Sequence, residues 1–171
     1  MTAASAAWFS RLGAALAPQE ERAIAALLAS HPLLAEAGFA NVTHWREAAG
    51  IVRAGDLDSA WWDREEEERE RLWQLTSERI GEAALCERVA ACGDALTKSV
   101  HAGAAAAAGR GEWNDAEFLR AASGAALLAA QQALLAELAG EAEVHWFTHK
   151  RVLFAAGRWP LGLVQGRYFV F

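Results

Sequence analysis

Residues 85–100, LCERVAACGDALTKSV, decide the fold. Leu85, Val89, Cys92, Leu96 and Val100 recur at steps of 4, 3, 4 and 4, the spacing that stacks side chains on one face of an α-helix. Upstream, no proline interrupts Ser59 to Ala91, and Gly81 is the one weak point. The run therefore predicts the longest helix of the chain, capped from within Asp56–Ser59, with Gly93-Asp94 as a place to kink before the pattern resumes toward Ala108. Composition agrees. The 171 residues include 42 alanines, a strong helix former, and few β-branched side chains. Disorder is excluded by the supply of Leu, Phe and eight Trp, rings that each bury roughly 150–250 Å². Most of those Trp are expected to be structural, filling gaps between alanine-lined helices.

Outward from this segment the helical pattern repeats. Trp8, Leu12 and Leu16 predict a helix over about Thr2–Leu16, and Pro18 with Glu20-Glu21 opens a second that His31-Pro32 interrupts. A short helix carrying Trp45 follows, capped by Asn41 or Thr43 and ending at Gly50. Gly109-Arg110-Gly111 reads as a turn, Asn114 with Glu117 as a capping box, and Gly140 as the stop of the helix between. Another helix is expected from about Glu141 to Ala156. The ending, RWPLGLVQGRYFVF over 158–171, is aromatic and β-branched, and Gln165-Gly166 suits a two-residue hairpin turn. The expectation is a mainly α protein: a single domain over 1–171, a bundle of about five to seven helices with a C-terminal β-hairpin packed on them.

Charge is placed unevenly. Of a net −6, residues 1–85 hold 8 basic and 14 acidic side chains, while 86–171 hold 8 of each. An acidic body repels phosphate backbones, so no nucleic-acid partner is expected, whereas a basic protein partner suits it. Cys86 and Cys92 would lie roughly 9 Å apart along one helix, beyond disulfide reach. They are read as small buried apolar residues in a reducing compartment. Ala121–Ala139 is apolar but mostly alanine and holds Gln131, Gln132 and Glu137, a poor membrane span. The N-terminus lacks the basic start of a signal peptide. A cytoplasmic protein with no membrane partner is expected.

Three groups of residues carry candidate chemistry. Glu141, His145 and His149, four apart in the expected helix, would present two imidazoles and a carboxylate on one face. That set suits zinc, iron or manganese, completed from a facing helix by His101, His44 or Glu137. No cofactor is otherwise predicted. The run Trp61-Trp62-Asp63-Arg64-Glu65-Glu66-Glu67-Glu68-Arg69-Glu70-Arg71 reads chiefly as a solvated helix face with Arg64/Glu68, Glu65/Arg69 and Glu67/Arg71 pairs. Its functional reading is a docking surface of Trp61, Trp62, Glu66, Glu67 and Glu70 for a basic partner. Lys150, Arg151, Arg158 and Arg167 lie among aromatics in a tail without acids, and are expected to pack against the acidic first half. There is no GxSxG, Walker A loop or GxGxxG, so the reading leans away from an enzyme. The class expected is a small intracellular binding protein of bacterial inhibitor, immunity or adaptor type; the alternative is a helical-bundle metalloprotein or small-ligand enzyme built on Glu141, His145 and His149.

Overall fold

A computed structural model describes residues 7–53 and 59–171. Helices dominate: α1 (Pro18–Ser30), α2 (Trp45–Arg53), α3 (Ser59–Ile80), α4 (Glu82–Arg110), α5 (Ala116–Ala139) and α6 (Trp146–Ala155). Three short strands, β1 (Gly38–Asn41), β2 (Pro160–Val164) and β3 (Arg167–Val170), make one sheet in the order β1-β3-β2. The protein is a mainly α bundle with a small sheet carrying the C-terminal hairpin.

The breaks fall where the backbone needs glycine. The long helical run divides at Gly81, whose φ of 84° lies in the left-handed region, into α3 and α4. No break occurs at Gly93-Asp94, and α4 runs on through Gly109 to Arg110, so the expected turn begins only at Gly111. Gly140 ends α5 at φ 83°, its N–H bonded to Ala136 and Glu137 carbonyls. Asp115, one residue past the expected Asn114, caps α5 by accepting from the Phe118 N–H at 3.0 Å. Gln165 and Gly166 both take positive φ, 48° and 75°, the geometry of a hairpin turn matched to strand twist.

The expected first helix is absent from the described residues. Of the helix foreseen over Thr2–Leu16, residues 2–6 lie outside the described residues, and 7–14 form turns instead. Their backbone donors are used elsewhere: Ala7 N–H bonds the Ala155 carbonyl at 3.0 Å and Arg11 N–H the Gly157 carbonyl at 3.1 Å. Trp8 and Phe9 are thereby buried together. β1, a four-residue segment without strand-like patterning, pairs in parallel with β3, Gly38 opposite Arg167 and Asn41 opposite Val170, and so adds a third strand beside the expected hairpin. The N-cap candidates Asp56 and Asp58 also lie outside the described residues.

Apolar burial gathers into two clusters. One centres on Trp45, Phe118, Trp159 and Phe171 with alanines of α4 and α5, among them Ala104, Ala107, Ala122 and Ala126. The other joins α1, α3, α6 and β3 through Leu27, Trp61, Leu72, Phe147 and Tyr168. Five of the eight Trp (Trp8, Trp45, Trp61, Trp146 and Trp159) are buried, so the large rings fill the space that alanines leave. Helix α5 is long and apolar enough by composition to cross a membrane, yet half of its most apolar window is buried, and it packs on α3, α4 and α6 as a core helix does. Cys86 is exposed and Cys92 half-buried, which corrects the expectation of two buried thiols: Cys86 faces away from the α4 stripe, and Cys92 lies on its middle stretch, where Val89 and Leu96 are also only half-buried.

The basic tail meets the acidic half, as charge balance requires. Arg158, with no exposed surface, donates to the Ala14 and Ala15 carbonyls and to Glu20 at 2.8 Å. Glu20 also accepts from Arg11 at 2.6 Å and from the Ala17 N–H at 2.7 Å, half of a capping box for α1. Burial alone would raise the Glu20 carboxyl; these donors outweigh it and hold the group well below its ordinary range.

Candidate functional site

The inward face of α3 is Trp61, Glu65, Glu68, Leu72 and Thr76, at steps of 4, 3, 4 and 4. Because Trp61 and Leu72 are drawn into the core, the two glutamates between them are carried in as well, and both are at most 5% exposed. Burying a carboxylate is tolerable only with donors on it. Glu65 receives the Lys150 ammonium of α6 on both oxygens, at 2.6 and 2.9 Å, and that ammonium lies 5.3 Å from the Trp61 ring centre. Glu68 receives His145 at 2.9 Å and the Arg71 guanidinium at 2.6 Å. Burial pushes the Glu68 carboxyl up, but the Arg71 and His145 bonds prevail and its pKa lies below the usual value. Beneath them, burial pushes the Tyr168 phenol up, and the Glu65 charge adds to it, so the ring stays neutral.

His145 does not sit inside a helix. It is the residue that starts α6, its Nδ1 accepting the Phe147 N–H at 3.1 Å. Glu141 lies in the turn before it, so Glu141, His145 and His149 do not share a helix face; this corrects the expected four-apart stack. Two of the three still meet, by another route. Arg71 forks between Glu68 and Glu141, at 2.6 and 2.5 Å, and Glu68, Glu141 and His145 bring one ligand atom each within 4.8 Å of one another. His149 stays outside this group, half-buried, its pKa held below the ordinary value by burial and by neighbouring His145. None of His101, His44 and Glu137 joins it.

The hydrogen bonds assign the His145 proton. Since Nδ1 accepts a backbone N–H, the neutral ring carries its hydrogen on Nε2 and donates it to Glu68. An ion ligated by Nε2 would have to displace that proton and evict Arg71 from both carboxylates. As it stands, one guanidinium and one neutral imidazole serve two carboxylates, so the cluster keeps a net negative charge.

The outer face of α3 differs. Trp61 is 1% exposed, which corrects its assignment as a partner anchor; its neighbour Trp62 stands 42% exposed, the two rings edge-on at 4.6 Å. Glu66, Glu67 and Glu70 are exposed. The ion pairs run three apart rather than the expected four: Arg64 with Glu67 at 3.3 Å, Arg69 with Glu66, and Arg71 with Glu68. Arg69, Glu70, Trp73 and Gln74 border a shallow hollow of about 270 Å³ on the same helix.

Comparison of the chain with protein-family profiles, with curated proteins and with solved structures finds no match.

Proposed function

We propose that this chain is a protein-binding module of inhibitor, immunity or adaptor type, which docks a basic partner through the outer face of α3. The observation that carries the reading is Trp62, a large ring left 42% exposed at the head of a stripe that continues through Glu66, Glu70 and Trp73. An exposed indole beside carboxylates combines an aromatic anchor with charges that speed encounter with a cationic surface. Glu70 makes no hydrogen bond or ion pair among the described residues and so keeps its charge available.

The test is cross-linked capture from the source cell with the parent chain, with Trp62→Ala and with Glu66→Lys/Glu70→Lys. Both variants keep the parent's circular dichroism, since all three side chains lie outside the core. Partners retained by the parent and lost by both variants, with retention falling as salt rises, support the reading. Equal capture by all three overturns it.

A second reading rests on the Glu68, Glu141 and His145 cluster: a divalent ion held there after Arg71 swings out. Zinc, iron or manganese at one per chain in protein purified without chelator, lost in Glu68→Gln, would favour it; metal-free protein whose melting is unmoved by added zinc would retire it.

A further inference from the structure

We propose that the cavity between the start of α2 and the α4–α5 turn is a binding site for a small planar aromatic carboxylate. The cavity holds about 830 Å³, within the range of small-molecule sites. It lies on a different face from the outer stripe of α3 and does not depend on the docking reading.

Its apolar wall is aromatic. Trp45 and Trp113 run nearly parallel, 13° apart with centres at 6.0 Å, and Phe171 meets Trp45 edge-on at 5.1 Å. Rings too close to admit a third between them offer their outer edges and faces to a flat ligand lying alongside. Trp45 is 9% exposed, and its Nε1–H has no acceptor among the described residues; the Trp113 Nε1–H is buried and equally unpartnered. A buried donor without an acceptor is costly, so the Trp113 Nε1–H marks a place where an acceptor belongs. The backbone reinforces this. The first-turn N–H groups of Trp45, Arg46 and Glu47 find no acceptor among the described residues either, and the positive end of α2 opens on the cavity.

The charges select the sign. Among the described residues Arg46 makes no ion pair, and the Arg110 side chain makes only a hydrogen bond to the Phe9 carbonyl at 3.1 Å. Against these two guanidiniums stand Glu47, turned back toward the Thr43 N–H at 3.4 Å, and Glu112, whose carboxylate has no partner among the described residues. The His44 ring, at the same rim, makes no hydrogen bond among the described residues. The balance, with the helix end added, favours an anion near Arg46. The turn itself is held in a demanding shape. Glu112 adopts φ 49°, and a Cβ on Gly111 would fall 2.2 Å from Trp45 Nε1, so only glycine lets the backbone close against the indole.

Three probes sharing one ring separate the possibilities: 2-naphthoate, neutral 2-naphthylmethanol and cationic 2-naphthylmethylamine. Each is titrated into the full chain by calorimetry and by ¹H–¹⁵N spectra of the eight indole N–H groups. Naphthoate is expected to bind about tenfold or more tighter than either analogue, moving the Trp45 and Trp113 signals selectively; Arg46→Gln, at an exposed position, should erase that margin. Equal binding of the three, tighter binding of the amine, shifts confined to other indoles, or no saturation by naphthoate below about 5 mM each overturns the assignment.

Discussion

Replacing Lys150 with methionine strands the Glu65 carboxylate in a pocket where it is 3% exposed. At 2.6 Å, with an effective dielectric near 20, the Lys150–Glu65 attraction is about 6 kcal/mol. Desolvating each ion costs several kcal/mol, so the intact pair contributes little net stability relative to two apolar side chains of similar size. Removing only the cation is different. The unpaired carboxylate, together with the lost contact to Trp61, should destabilise by about 3–5 kcal/mol. At roughly 2–4 °C per kcal/mol for a chain of this length, melting should fall by some 6–20 °C. The double change Glu65→Leu/Lys150→Met removes both charges and should return to within about 1–2 kcal/mol of the parent. Urea unfolding followed by tryptophan fluorescence, with thermal circular dichroism alongside, completes the cycle. A Lys150→Met loss below about 1 kcal/mol, or a double variant as unstable as the single effects added together, would refute this account of the α3–α6 contact.

The remaining predictions concern pH and packing. His31 is 1% exposed and, through burial first and then the positive charges of Lys150 and Arg64, its pKa drops from 6.5 to about 4. The unfolded chain therefore takes up a proton that the folded one refuses: stability is full above about pH 6.5 and declines as pH falls toward about 4. Proton NMR should show the folded His31 ring still neutral at pH 5, and titration near 6.5 would contradict its burial. Two helical glycines should respond oppositely to alanine. At Gly103 a Cβ would come within 2.7 Å of both Trp8 Cβ and the Trp8 carbonyl, so Gly103→Ala should cost about 1–3 kcal/mol. At Gly124, where nothing lies within 4 Å, the same change should stabilise by about 0.5–1 kcal/mol; denaturant midpoints of the two variants moving the same way would falsify the contrast.

Much of the site lay in plain view in the sequence and was sorted onto the wrong side of a helix. Glu65 and Glu68 belong to an acidic run whose composition reads as solvated, and only the 4-3-4 phase linking Trp61, Glu65, Glu68 and Leu72 places them inward. That phase follows from Trp61 being core rather than an anchor. The counter-ions were not: Lys150 lies 85 residues from Glu65 and His145 lies 77 from Glu68. Likewise the Glu141–His145–His149 spacing assumes a helix from about Glu141, whereas α6 starts only at Trp146, because Gly140 stops α5 and His145 uses its own ring to cap α6.

The amino-acid order alone determined most of the helices, the stop at Gly140 and the turn at Gln165-Gly166, and marked Gly81 as the weak point of the longest run. Those features are settled by steric and hydrogen-bonding preferences within a turn or two of the backbone. Only the tertiary structure decided that β1 joins β3, that the first described segment forgoes its helix to bond the α6–β2 corner, and which carboxylates enter the core. Each of those outcomes depends on a partner far along the chain, and a charge or a backbone donor can leave water only where such a partner is waiting.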